Sequence, residues 1–279
     1  VLALWSRLQP GSLPSTETAD FVEEAKSRLS WPLNYWNGLG TLLAMGIPLL
    51  LSLATAARLV LVRALSAGVV PALALAAFLT LSRGGAVELG AALVALVLLS
   101  VSRAGSLPTW GLAGAGSVVL IAAALQRDAV VDGLTGSAGT SEGDELLAMT
   151  FVTCAAVMLL VAALQLAFRA GMTPAVSIPR RVTRLSTVAA AVFAVVGFVA
   201  LGGPGAAERA FEDFKSTEFT AVDVNRFESV SGNQRWQYWT AALDANASAP
   251  LNGIGPGTYQ FWWAANGSEP TFIKDAHSL

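Results

Sequence analysis

Histidine and cysteine are almost missing from these 279 residues, with one of each: His277 and Cys154. A single cysteine closes no disulfide within a chain, and the two together cannot supply a Cys/His metal cluster. Cys154 lies inside an apolar run, where a thiol serves as a small apolar side chain. Charge is scarce as well. Asp, Glu, Lys and Arg make up 13% of the chain, roughly half of the ~25% usual in soluble domains. The 17 basic and 19 acidic residues leave a net charge of −2, so there is no basic surface for a nucleic-acid partner. Internal repeats, heptads and low-complexity tails are lacking too, which excludes solenoids and coiled coils.

What the chain has is apolar sequence. Hydrophobic residues reach 54% and mean hydropathy is +0.59, which places it in the membrane class. A helix needs about 20 apolar residues to cross the hydrocarbon core. Six runs qualify, at 38–57, 65–82, 84–101, 107–125, 146–168 and 185–202. Pro48 is tolerated in the first, since neighbouring helices can satisfy the freed carbonyl. Residues 65–101 are too long for one span, and Arg83 at their middle is costly in hydrocarbon, so a tight hairpin at Arg83-Gly84-Gly85 is expected. Residues 126–145 are rich in Gly, Ser, Thr, Asp and Glu and read as a flexible loop. Ahead of the first span, 21–29 is expected to form a short surface helix, and Trp31, Tyr35 and Trp36 suit the headgroup level. The fold class is all-α: a polytopic helix bundle over 1–203 and a large extracytoplasmic loop over 204–279, as a fragment of a longer chain.

Alternate connections carry the orientation. Those on one side hold Arg58, Arg63, Arg103, Arg169, Arg180, Arg181 and Arg184 and no acidic residue. Positive-inside bias assigns them to the cytoplasm. The opposite side then receives the 7–36 segment, Arg83, the acidic loop and the whole 204–279 segment.

That last segment is the longest polar stretch. Residues 211–220 are acidic and suit a short helix or loop. Ser231 or Asn233 is placed to cap a helix over 234–245, on which Arg235 and Trp239 share a face. Gly253, Gly255 and Gly257 follow, then Tyr259, Phe261, Trp262 and Trp263. The glycines have the wrong spacing for a dinucleotide loop, and no strand–helix unit surrounds them. Asn246-Ala247-Ser248 and Asn266-Gly267-Ser268 fit the glycosylation pattern, which arises often by chance. Taken singly, His277 reads as a polar loop residue and Arg235 as a surface arginine. Arg83 suits a hairpin cap that reaches the headgroups, and Glu88, in the first turns of the third run, suits a partner for it.

In order, these pieces resemble the O-antigen ligase and polymerase family of bacterial membrane glycosyltransferases. Arg28-Leu29-Ser30-Trp31-Pro32-Leu33-Asn34-Tyr35-Trp36-Asn37 is similar to its Tyr-x-Asn segment, and Ser82-Arg83-Gly84 to its Ser-Arg-Gly hairpin. Arg235-x-x-x-Trp239 and Pro250-Leu251-x-Gly253-x-Gly255-x-Gly257 resemble the start of its outer loop, and Ala276-His277-Ser278 the close. Ser278 departs from the commoner Asn, and family members continue with further spans.

The resemblance implies a glycan donor on undecaprenyl pyrophosphate and an acceptor hydroxyl on a glycan or glycolipid, at the outer face of the cytoplasmic (inner) membrane. Arg83 and Arg235 would hold the pyrophosphate, as arginine binds phosphate bidentately and stays charged. His277 would be the base, its ordinary pKa being suited to neutral pH. Arg226 and Tyr35 are further candidates for phosphate or sugar contact. No metal and no cofactor is called for if the arginines neutralise the pyrophosphate. The rival reading is a multi-span solute transporter, which intramembrane Arg83 and Glu88 would also suit; the large outer segment with Arg, His and aromatic residues favours the enzyme.

Overall fold

A computed structural model describes residues 2–10, 12, 27–100, 103–133, 137–171, 203–217 and 231–276. The described residues are all-helical, without strands, and fall into two compact units. The first holds α1 (Leu2–Leu8), α2 (Trp36–Ala56), α3 (Val60–Leu79), α4 (Arg83–Leu99), α5 (Arg103–Ala124), α6 (Asp128–Asp132) and α7 (Ser137–Arg169). The second holds α8 (Gly203–Lys215), α9 (Arg235–Ser248) and α10 (Tyr259–Asn266).

Four helices of the first unit are long and apolar enough to cross a membrane: Trp36–Ala56, Val60–Leu79, Gly105–Ala124 and Ser137–Arg169. This is an α-helical polytopic membrane protein. Their exposed faces explain the composition. On α2, Leu42, Met45, Leu49 and Leu53 recur at helical spacing and stand exposed, an apolar stripe of the kind that suits a lipid environment. The opposite face buries Leu39, Leu43, Ala44, Ile47, Leu51 and Ala54. α3 lies at the centre, packed by α2, α5 and α7. Small residues set how close these helices come. A Cβ on Gly116 would lie 2.7 Å from Val157 Cγ2 and 2.9 Å from Pro71 Cγ, and one on Gly68 would lie 2.9 Å from Met158 Cβ.

One expected span and one expected loop differ from these helices, and one further expected span is not tested by them. The run at 84–101 is α4, of 17 residues, at the short limit of membrane-crossing length. The run at 185–202 lies outside the described residues. The expected loop over 126–145 is mostly helix: α6 forms within it, and α7 begins at Ser137, not near 146. The reason lies in its acidic residues, which are used by neighbours. Arg127 pairs with Glu145 at 3.1 Å, the Val130 N–H donates to Glu142, and Gln9 Nε2 donates to Asp144 Oδ1 at 2.5 Å. Buried Gly143 also lets α7 run directly against the Leu8 carbonyl.

The two ends of the bundle differ in charge. At one end Arg63 donates to Gln165 Oε1 at 2.5 Å and Arg169 to the Arg58 carbonyl at 2.7 Å. Gln165 is itself buried and donates to Thr109 at 3.2 Å. The acidic group of α6 and early α7 stands at the other end, with the starts of α2 and α4.

The second unit is small and aromatic. Tyr238, Ala241, Trp263 and Ile273 form its core, and Tyr259 and Ala276 pack on it. The Tyr238 and Trp263 rings meet edge-on at 5.1 Å, and Trp263 Nε1 donates to the Thr271 carbonyl at 2.7 Å. α8 is tied to α9 through Phe211 against Trp236 and Phe214 against Trp239, each pair 5.6 Å apart.

Candidate active site

Arg235 is the first residue of α9 and is partly exposed. The helix was expected to begin under a Ser231 or Asn233 cap. Instead its N-cap is Gln234, in left-handed conformation (φ 63°) and without a capping side chain. Its side chain is engaged elsewhere: Nε2 donates to the Thr217 carbonyl at 3.1 Å, and Oε1 accepts from the Tyr238 hydroxyl at 3.0 Å. Ser231 and Asn233 are bonded to each other, the Asn233 N–H donating to Ser231 Oγ. The backbone before Arg235 is therefore held by buried and partly buried hydrogen bonds, and the Arg235 N–H donates to the Gly232 carbonyl at 3.1 Å. Gly232 has no room for a side chain, since a Cβ would run into the Phe214 carbonyl.

Tyr238 stands one turn beyond Arg235. Burial pushes its phenol up; the neighbouring Thr271 hydroxyl and the Arg235 charge oppose this, and Glu269 adds to it. Tyr259 Oη donates to the Tyr238 carbonyl at 2.8 Å. Its phenol is pushed up to about 12, by burial first and then by Tyr238 and Asp275. Both are neutral donors at physiological pH. Between α9 and α10 runs the glycine turn, with Gly253, Gly255 and Gly257 all at positive φ (62°, 103° and 70°). That conformation needs glycine and lets the chain turn back so that α10 lies on α9. Trp239 shares Arg235's face and is partly exposed against Phe214. Ala276 packs on the Tyr238–Trp263 core. His277, next in the chain, lies outside the described residues, as does Arg226.

Tyr35 and Arg83 belong to the first unit, where the structure brings their segments together. Tyr35 precedes α2 and is partly exposed. The chain does reverse between the two apolar runs, but the turn falls at residues 80–82: Arg83, Gly84 and Gly85 form the first turn of α4, with Ser82 as N-cap. Ser82 Oγ donates to Asn37 Oδ1 at 2.9 Å, which joins the start of α2 to the start of α4. Arg28, buried to 6% exposure, lies with its guanidinium 4.7 Å from the Trp36 ring centre. In the sequence, Arg28, Asn37 and Ser82 stand within the motifs without an assigned role; their one signal is adjacency to Tyr35 and Arg83. Glu88 is exposed on α4. Among the described residues no three His, Cys, Asp or Glu side chains cluster as metal ligands.

Residues 146–279 match the family model described as O-antigen ligase. The chain carries an O-antigen ligase family domain. No curated protein and no solved structure matches the chain. The O-antigen ligase domain takes in α7 from Leu146 onward and all three helices of the second unit, and so includes Arg226, Arg235 and His277. Tyr35 and Arg83 precede it. This match supports a glycan-transferring enzyme of surface-polysaccharide assembly, and the apolar helices make the protein multi-pass.

Proposed function

We propose that this protein transfers a glycan from undecaprenyl pyrophosphate to an acceptor hydroxyl, on a glycan or glycolipid, at the outer face of the cytoplasmic membrane. The observation that carries the reading is the O-antigen ligase match across the segment holding Arg235 and His277. The acceptor oxygen attacks the anomeric carbon of the donor sugar. The bond from that carbon to the pyrophosphate oxygen breaks, its electron pair leaves with the lipid pyrophosphate, and His277 takes the acceptor proton. Arg235 is assigned to the leaving pyrophosphate. Its guanidinium is permanently charged and stands at the positive end of α9, where anions are favoured. Arg83 is assigned to donor phosphate binding, with Arg226 and Tyr35 to phosphate or sugar contact.

The orientation rests on the charge asymmetry of the bundle. Arg58, Arg63 and Arg169 gather at one end, which positive-inside bias assigns to the cytoplasm. The end bearing Tyr35 and Arg83 then faces outward, and counting the expected spans assigns the 204–279 segment to the outer side of the membrane.

The test uses full-length protein in membranes with lipid-linked glycan, and transfer is followed by gel mobility. His277→Ala should lower transfer by roughly 10²–10⁴-fold, and Arg235→Ala by about 10²–10³-fold, at normal protein levels. Unchanged transfer in both would remove the catalytic assignment. The size ladder of the product separates a single-step ligase from a polymerase.

A further inference from the structure

Asn37 and Ser82 lie 45 residues apart in the chain and meet through one hydrogen bond. Ser82 Oγ works in two directions. It donates to Asn37 Oδ1 and accepts from the Gly85 N–H at 3.1 Å, which caps α4 one residue before Arg83. Ser82 is 3% exposed, so water does not replace a lost partner there. The two helices touch just beyond this bond. A Cβ on Gly85 would lie 3.1 Å from the Gly40 Cα, and one on Gly40 would lie 3.1 Å from Ser82 Cβ.

Two further features hold the same place. Leu81, directly before Ser82, has φ 49°, a left-handed conformation that costs energy for a residue with a side chain. Its side chain is 1% exposed, and that burial offsets the strain. On the α2 side, the Leu29 N–H donates to the Leu79 carbonyl at 2.8 Å, and Arg28 stacks on Trp36, the neighbour of Asn37. Backbone strain that the surroundings over-determine is what a pre-set geometry requires.

We propose that Asn37 and Ser82 are positioning residues that hold Arg83 where it meets the donor's pyrophosphate. This rests on the assignment of Arg83 to donor phosphate. The guanidinium stands at the end of a long side chain rooted at the first residue of α4, so what it can reach is set by where the α4 backbone starts. That start is fixed by the cap, and the cap by Asn37. A misplacement of about 1 Å in such a group can lower turnover by about 10²-fold.

The experiment compares Asn37→Ala and Ser82→Ala with wild type, as full-length protein in membranes with lipid-linked glycan. Each should lower kcat by roughly tenfold with the acceptor KM unchanged, and Ser82→Thr, which keeps the hydroxyl, should restore most of it. The deciding comparison repeats Asn37→Ala in an Arg83→Lys background. There it should have little further effect, because the group it positions is already compromised. An equal tenfold loss in both backgrounds would mean a merely structural role and would overturn the proposal. Should Arg83→Lys leave too little turnover to compare, binding of undecaprenyl pyrophosphate to the purified full chain replaces it. Asn37→Ala should weaken that binding in the wild-type background and not in Arg83→Ala; equal weakening in both overturns the proposal. Normal transfer by Arg83→Ala would defeat the phosphate assignment of Arg83 itself, and this proposal with it, leaving Arg235 and His277 untouched.

Discussion

Arg235 is the first residue of α9, and that position decides its surroundings. Gln234 behind it spends its side chain on Thr217 and Tyr238, so the backbone entering Arg235 is anchored on both sides. Gln234→Ala should therefore weaken the second unit by about 1–3 kcal/mol, since the Tyr238 hydroxyl loses its buried acceptor; thermal unfolding of the full chain checks this. Tyr259 permits a sharper test. Its folded-state pKa of about 12 lies above the ordinary value of 10.0. The folded form thus holds the proton more tightly, and the stability this gives is complete below the ordinary value. It is lost as pH rises from there through about 12. The chain has three tyrosines, so a tyrosinate absorbance titration of wild type against Tyr259→Phe should show the late-titrating phenol disappear. Titration of Tyr259 at its ordinary value would contradict its burial against Tyr238. The two arginines were legible as isolated charges beside apolar runs or motifs. Asn37 and Ser82 were not, because each is an ordinary polar residue until its partner 45 positions away is in place.

Among the elements, long apolar periodicity was easy to read, and helix ends were not. α2, α3, α5 and α7 follow from run length alone. The early start of α7 does not. Its first turns are acidic and glycine-bearing, which argues for loop by local propensity, yet Arg127, Val130 N–H and Gln9 take up the acidic groups and Leu8 occupies the space that Gly143 leaves. Tertiary partners overrode local preference there. Glycines within spans divide in the same way. Gly116→Ala should destabilise the bundle by about 1–3 kcal/mol, because the new methyl meets Val157 and Pro71 on two neighbouring helices. Gly111→Ala, on the same helix with open space around it, should change little. Melting of the detergent-solubilised protein distinguishes the two, and equal effects would mean that α3, α5 and α7 are not packed this closely. Sequence alone shows both as glycines in oil.

For the whole molecule, the main prediction concerns sidedness. In a Cys154→Ala background, a cysteine at Ser137 should react with an impermeant thiol reagent added from outside, and one at Ser177 should not. The reverse pattern would invert the topology and remove the outer-face reading. Composition and run length by themselves determined that this is a helical membrane protein. The arginine bias supplied an expected orientation, and the ordered motifs an O-antigen ligase resemblance that the family match then bore out. These are properties that each residue carries along the chain: transfer free energy adds up over a window, and charge counts add up over a loop. Tertiary structure alone decided which polar residues are held and by what. It joined Asn37 to Ser82, laid Arg28 on Trp36, turned an acidic loop into helix, and set Gln234 behind Arg235 in place of a conventional cap. Those outcomes depend on pairwise contacts between distant positions, and a hydrogen bond has no energy until both of its partners arrive.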